Sequence, residues 1–546
     1  EIIMVRQVFE TTAEPSSTHE DRWQPRKARP PAILIIPALL VSALTLSPIA
    51  YLLLREGLSV QRFLHEISSP TTSNLILHSA LLAFSVTFVC AILGIGLALL
   101  VVRTDLPYRR VWTVLFALPL GIPAFVSSYT WVAASYQLAP QATFLYGLRG
   151  AVLVLSLAVY PYIYLPVVAA LRDLDPAQEE VARALGAGAV EAFFRVTLPQ
   201  LRVAIASGGL IIALHMLAEF GALELLRYPT LTTAIVQRVT VLSAPEAART
   251  LSTVLAIGAL LFLASDRLLR GRPTAVRTGS GVARRSEPWR LGYATPVWLI
   301  FSGTFIAIAL GVPLFSMIAG MARVIGNSGA GVSWGELLEA AVNTGRYALV
   351  TAVVATVAAF PVSMLSVRYP GRLATLVERS TWIAHALPGV VMSLALVYLS
   401  VRWLYPLYQT SSLLIAGYVI LFVPIAIGAQ HVGVAHAAPH YDQISRSLGL
   451  GPLATLFRVT LPLAFPGIAA GAMLVFLNVG KELTMTLLLH PTGKRTLSTA
   501  LWNTTNGEVL DFSTAAPYAI ALVVITAIPA WVLVRHSLNP PRRPGE

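Results

Sequence analysis

Twelve apolar runs of about twenty residues each divide this 546-residue chain, and that is the length a helix needs to cross ~30 Å of hydrocarbon. The runs fall near residues 32–54, 75–102, 111–135, 150–170, 201–220 and 248–264. A second set follows near 294–319, 343–366, 381–402, 412–430, 465–483 and 514–535. Inside a bilayer every backbone N–H and C=O must be satisfied within the protein, so such runs are read as helices. Composition agrees. The chain is 56% hydrophobic and 12% charged, against about 25% charged in a soluble protein, and its mean hydropathy is +0.71. A soluble enzyme is excluded. The fold class expected is all-α, a polytopic membrane protein with about 12 transmembrane helices. Pro119, Pro123, Pro161, Pro388 and Pro424 interrupt these runs. Membrane helices tolerate such breaks where neighbours or a water-lined path satisfy the freed backbone groups.

The net charge of +13 reports orientation rather than nucleic-acid binding. Lys and Arg gather on the segments that lie inside when the N-terminus is placed inside, as the positive-inside rule requires. The largest cluster is Arg267, Arg270, Arg272, Arg277, Arg284, Arg285 and Arg290 between the sixth and seventh runs, read as a topology anchor and tether. Both termini are therefore expected in the cytosol. The first 31 residues are polar and Pro-rich, read as a disordered tail with no cleavable signal. The absence of an initiator Met suggests a trimmed or tagged chain. The single cysteine, Cys90, cannot form an intrachain disulfide or a Cys-rich metal site. The expected plan is a tail over 1–31, a first repeat over 32–264, and a basic linker over 265–293. A second repeat over 294–535 and a cytosolic tail over 536–546 complete it.

The chain is doubled. Phe194-Arg195-Val196-Thr197-Leu198-Pro199 returns letter for letter at Phe457-Arg458-Val459-Thr460-Leu461-Pro462, 263 residues later. Over 176–199 against 439–462, eleven of 24 positions are identical. Pro161 pairs with Pro424 at the same offset. Ala117-Leu118-Pro119 pairs with Ala386-Leu387-Pro388, and Val102-Arg103 with Val367-Arg368. Six spans per half is an even number, so the two copies share one orientation. Many secondary transporters instead carry inverted repeats.

The strongest repeat lies in a polar loop between the fourth and fifth spans of each half. The first copy reads Glu180-Val181-Ala182-Arg183-Ala184-Leu185-Gly186, then nine residues, then Val196-Thr197-Leu198-Pro199. Asp175 and Pro176 suit a helix start, and Glu179 and Glu180 favour its positive end. Gly186 or Gly188 can stop it in a left-handed conformation, after which Leu198-Pro199 redirects the chain into the next span. The second copy carries Asp442, Gln443, Arg446, Gly449 and Gly451 at matching places. A short rigid helix across the membrane face can fit a cleft on a cytosolic partner.

This spacing resembles the Glu-Ala-Ala motif of ATP-binding-cassette importer permeases, with Gln443 departing from the family's acid. The resemblance implies a type I importer fold of two parallel six-helix repeats, in a bacterial inner membrane. It implies that each loop docks a nucleotide-binding subunit, with Arg183 and Arg446 available to pair with it. Partners would be two copies of the ATPase and a periplasmic or lipid-anchored substrate-binding protein, with no nucleic acid. A phosphate-binding loop needs Gly-x-x-x-x-Gly-Lys-Ser/Thr. The fragments Gly480-Lys481-Glu482 and Gly493-Lys494-Arg495 do not supply it. The chain is thus expected to be no enzyme and to hold no cofactor, with ATP and Mg in the partner subunits.

The segments Lys481 to Leu489, Pro491 to Gly493 and Thr496 to Thr499 look like ferric iron permeases. So do Glu219 to Ala222, Leu225 to Arg227 and Thr232 to Ile235. Thiamine, phosphonate or polyamine cargo is the alternative, and an ion-gradient-driven transporter the rival of another class. Glu219 and Glu482 align at offset 263, each 20 residues past its Leu-Pro proline. That is about 30 Å along a continuous helix. With Lys481 they are candidates for the translocation path. Paired carboxylates suit transient contact with a hard cation. The alternative is that they face the outer aqueous interface, or that Glu482 pairs with Lys481. No firm metal site is expected. His431, His436 and His440 read as a solvated face.

Overall fold

The computed structural model describes residues 30–56, 60–138, 143–174, 177–242, 244–270, 288–326, 331–506 and 512–538. The two tails, most of the basic linker, Asp175 and Pro176 lie largely outside the described residues. Among the described residues the chain is helical, with a single isolated bridge between Thr104 and Trp289. Among the described residues eight helices are long and apolar enough to cross a membrane, and three more bent pairs pass the same test together. A further helix, Phe512–Leu538, ends the described chain. Each expected span falls on one of these.

The second span of each half shows how local sequence sets the ends. Pro70–Arg103 begins after Ser69, whose hydroxyl accepts from the Thr72 N–H at 3.3 Å. Trp334–Arg368 begins after Ser333, which accepts from the Glu336 N–H at 3.3 Å. Both are side-chain N-caps, and each helix closes on an arginine. Along the first helix Leu82, Val86 and Cys90 are buried while Phe84, Phe88 and Ile92 are exposed. Along the second, Leu349, Val353 and Val357 form the same exposed stripe. In water such stripes would be a liability; in a bilayer they are the lipid face.

The third span of each half is broken. Arg109–Gly121 meets Ala124–Leu138 at 92°, and Arg372–His385 meets Gly389–Trp403 at 100°. Pro119, Pro123 and Pro388 sit at the breaks, where each removes a donor and clashes with the preceding turn. The spans expected at 111–135 and 381–402, with their proline interruptions, are therefore each two helices. The fourth spans differ between halves. Leu148–Val159 and Pro161–Asp173 bend by 42°, whereas Ser411–His436 absorbs the aligned Pro424 in one helix. The first half carries a further proline, Pro166, within that stretch.

The chain packs as two compact units, one of Leu64–Gly331 with Thr504–Pro517, the other of Glu1–Phe63, Val332–Asn503 and Tyr518–Glu546. These units do not coincide with the sequence repeat, because each takes in the first span of the other half. In one unit Phe305 of the seventh span meets Phe116 and Tyr160 edge-on at 6.0 and 5.3 Å. In the other, Ser42 of the first span hydrogen-bonds Ser380 at 2.6 Å, and Tyr51 meets Trp403 at 6.2 Å. The apolar windows of the exchanged spans are 22% and 33% buried, against 78% for Ser411–His436. Within the second-half unit the fourth and fifth spans touch through glycine. A Cβ on Gly433 would lie 2.9 Å from the Gly467 Cα, so no side chain fits there.

Candidate functional site

Each polar loop folds as a short helix with the same stop. Ala177–Ala184 ends at Gly186, which has φ +97°, and Pro439–Ser447 ends at Gly449, with φ +85°. Gly186 N–H donates to Arg183 O at 3.0 Å and Ala187 N–H to Ala182 O at 3.1 Å. Gly449 N–H donates to Arg446 O at 3.0 Å and Leu450 N–H to Ser445 O at 3.1 Å. Both are Schellman closures, which need a left-handed residue that glycine supplies without a Cβ penalty. Of the two glycines open in the sequence of each loop, the first is the stop. Gly188 and Gly451 lie in the turn that follows, and neither has positive φ.

The loops present matched apolar side chains to the outside. Val181, Leu185, Val190 and Phe194 are exposed in the first copy. Ile444, Leu448, Leu453 and Phe457 are exposed at the aligned positions of the second. Leu185 and Leu448 are 84% and 77% exposed. Glu180 and Arg183 border the first patch, Gln443 and Arg446 the second, all solvent-exposed. Exposed leucine and phenylalanine ringed by charge mark an interaction surface. These apolar residues were missed in the sequence. The signal that could have found them is apolar character kept at offset 263 inside a polar loop.

The neighbouring acids point the other way. Glu179 is buried against Arg103, Oε2 to Nη1 at 3.3 Å, with side chains 9% and 5% exposed. Thr197 Oγ1 donates to the same carboxylate oxygen at 3.2 Å. In the second copy Asp442 Oδ2 meets Arg368 Nη2 at 3.2 Å, with side chains 21% and 7% exposed. Thr460 Oγ1 donates to Asp442 Oδ1 at 3.0 Å. Arg368 also donates to the Ala437 carbonyl. Each loop helix is thus tied by charge to the end of the second span and by a hydroxyl to the fifth. Sequence reading had placed Arg103 and Arg368 only as repeat landmarks.

One expectation is corrected. Leu198-Pro199 and Leu461-Pro462 do not redirect the chain. Phe193–Thr197 and Leu456–Thr460 are π-turns that run straight into the fifth spans, giving unbroken helices over Val190–Ala218 and Pro452–Lys481. A proline inside a helix has no N–H and collides with the carbonyl four residues back. A single wide π-turn before it accommodates the ring without breaking the helix.

At the far end of each fifth span the aligned acids act alike. Glu219 follows Leu198–Ala218, and its Oε1 accepts from the Ala222 N–H at 3.0 Å. Glu482 follows Leu461–Lys481, and its Oε1 accepts from the Met485 N–H at 2.9 Å. Each carboxylate caps a short helix, Gly221–Leu225 or Thr484–Leu489. Those short helices pack on Ala124–Leu138 and Gly389–Trp403, the second arms of the broken third spans. A Cβ on Gly389 would lie 3.0 Å from Glu482 Oε1, so that glycine makes room for the acid. His215 Nε2 lies 3.7 Å from Glu219 Oε2. Lys481 is the last residue of its helix and partly buried.

Further along, the halves diverge. Arg227, with φ +51°, stacks over Tyr146 at 4.7 Å. Burial, reinforced by the Tyr136 hydroxyl, pushes the Tyr146 phenol up to about 12. The second half instead has an open cavity of about 360 Å³ lined by His490, Thr492, Gly493, Lys494 and Arg495 among others. His431 lies 3.3 Å from Ser366, and the His440 ring meets Tyr441 at 4.0 Å, tilted by 40°. Among the described residues no cluster of three or more His, Cys, Asp or Glu comes together.

The family model for binding-protein-dependent transport system inner membrane components matches the chain twice, over residues 90–270 and 352–536. The chain belongs to that permease family. Both ion-paired loops and both capping acids lie inside the matched segments of this permease. It is 34% identical to the Fe(3+)-transport system permease protein FbpB 2 of Haemophilus influenzae, over 94% of this chain and 99% of that protein. It is 24% identical to the ferric transport system permease protein FbpB of Actinobacillus pleuropneumoniae, over 82% and 69% of the two chains. It is 26% identical to a putative 2-aminoethylphosphonate transport system permease protein of Salmonella choleraesuis, over 35% of this chain and 74% of that one.

Proposed function

We propose that this permease carries ferric iron across the bacterial inner membrane, from a substrate-binding protein outside to the cytosol, powered by two copies of a separate ATPase. The observation that carries the reading is the pair of exposed apolar faces, Val181, Leu185, Val190 and Phe194 against Ile444, Leu448, Leu453 and Phe457. Two matched faces at one topological position fit two copies of one partner. Glu180 and Arg183 would add charge contacts at one face, and Gln443 with Arg446 a less acidic set at the other. ATP and Mg would belong to the partner. Lys and Arg bias supports cytosolic loops and termini.

Ferric iron is favoured by the ferric relatives, the first of which is matched across nearly its whole length. It is a hard cation that prefers oxygen ligands. Glu219 and Glu482 would offer such oxygens at the outer ends of the fifth spans, and Lys481 would moderate the charge there. Their capping bonds hold each carboxylate in a fixed direction, which suits brief contact better than tight retention.

Reconstitution in vesicles with the ATPase and a candidate binding protein tests this directly. ATP-dependent uptake of ferric iron, and none of thiamine, is the expected result. Iron uptake without nucleotide would reject the ATP-driven mechanism, while uptake of thiamine alone would reject the cargo.

A further inference from the structure

We propose that Arg103 and Arg368 are positioning residues for energy coupling: each clamps a docking loop to the cytosolic end of the second span, so that movement of the ATPase is delivered there. The inference rests on the proposed docking role of the loops. Each loop helix is already continuous with the fifth span through its Schellman turn and π-turn. The chain also joins each loop to its fourth span, but no loop segment connects it directly to the second span. The Arg103–Glu179 and Arg368–Asp442 pairs supply that connection, at 3.3 and 3.2 Å. Thr197 and Thr460 lock the same carboxylates to the fifth span. Loop, second span and fifth span then turn as one body.

Stability alone does not account for one buried and one half-buried ion pair at matching places. Desolvating such charges offsets most of their attraction, and apolar residues of similar volume would hold the corner as firmly. An arginine fork instead fixes direction. Both guanidinium groups also keep spare donors. Arg103 Nε, and Arg368 Nε and Nη1, are buried without a hydrogen-bond partner in the structure. A clamp with unused donors can pass its carboxylate from one N–H to the next as the loop shifts, and so stay closed through two arrangements. In the first half the same corner is fastened again. Trp289 N–H donates to Arg103 O at 2.7 Å and Leu291 N–H to Asp105 Oδ1 at 2.8 Å, so the chain leaving the linker is pinned beside the clamp.

The test uses the full importer in vesicles and reads uptake per ATP hydrolysed. Arg103→Gln and Arg368→Gln, singly and together, are compared with Arg103→Lys and Arg368→Lys at equal amounts of assembled complex. The expected result is retained assembly and continued hydrolysis, with uptake per ATP falling on the order of tenfold in the Gln variants. The Lys variants, which keep the charge but not the fork, should fall between. Unchanged uptake per ATP in the Gln pair would overturn the proposal. So would loss of ATPase binding in the Gln and Lys variants alike, since the arginines would then only shape the docking surface. If the docking reading itself is wrong, Leu185→Asp and Leu448→Asp will leave the ATPase bound and uptake per ATP unchanged.

Discussion

Arg103 and Glu179 lie 76 positions apart in sequence yet form an ion pair of 3.3 Å with both side chains nearly fully buried. Their counterparts Arg368 and Asp442 pair at 3.2 Å, with the aspartate more open to solvent. Removing one member of a buried pair strands the other. Glu179→Ala should therefore cost about 3–5 kcal/mol of stability, and Asp442→Ala less, since Asp442 is 21% exposed. Thermal unfolding of the detergent-solubilised protein checks the order. Replacing Arg103 and Glu179 together by methionine should recover most of the stability without restoring uptake.

The two glycines of each loop separate cleanly. Gly186 has φ +97° and Gly188 does not have positive φ, while a Cβ on either meets open space. Gly186→Ala should cost about 1–2 kcal/mol through the left-handed backbone alone, and Gly188→Ala close to nothing. Gly449→Ala and Gly451→Ala should repeat the contrast. Equal unfolding temperatures for Gly186→Ala and Gly188→Ala would contradict the Schellman assignment.

Leu185, Phe194, Leu448 and Phe457 are exposed, so changing them should leave the fold within about 0.5 kcal/mol. Their aspartate variants should nevertheless release the ATPase. Co-purification of the two subunits reads this, and alanine at a true anchor should weaken binding by about 2 kcal/mol or more. Because Gln443 replaces an acid, reversing charge on the ATPase should disturb the Glu180 side more than the Gln443 side.

For Glu219 and Glu482, substitution by glutamine keeps an oxygen that can accept from Ala222 or Met485. Glu219→Gln with Glu482→Gln should leave assembly and unfolding temperature unchanged and reduce iron uptake. Alanine at either position should remove the cap as well, at a cost of about 1 kcal/mol. Normal uptake by the double glutamine variant would leave these residues as helix caps and nothing more.

Local chemistry explains what was legible. Span positions followed from length and hydropathy, and the repeat from offset identity. The loop stops narrowed to two glycines per copy, because a helix C-terminus of this kind needs a left-handed residue. Pro119 and Pro388 were visible as interruptions, but the near-right-angle breaks depend on what packs beside them. Leu198-Pro199 was misread because a proline ends a helix in most settings; here a π-turn accommodates it, and that turn is a property of the folded helix.

The sequence by itself determined the helices, their pairing into two equivalent halves and the place of the loops, since these rest on periodicity, apolar run length and repetition along the chain. Tertiary structure alone decided which acid of each loop is buried and which faces out. Glu179 and Glu180 are chemically near-identical neighbours, and only the arginine brought in by the second span separates them. Tertiary structure also decided that each half's first span packs in the other unit. Apolar surface attracts without direction, so the hydropathy that made those spans legible could not say which neighbours they would join.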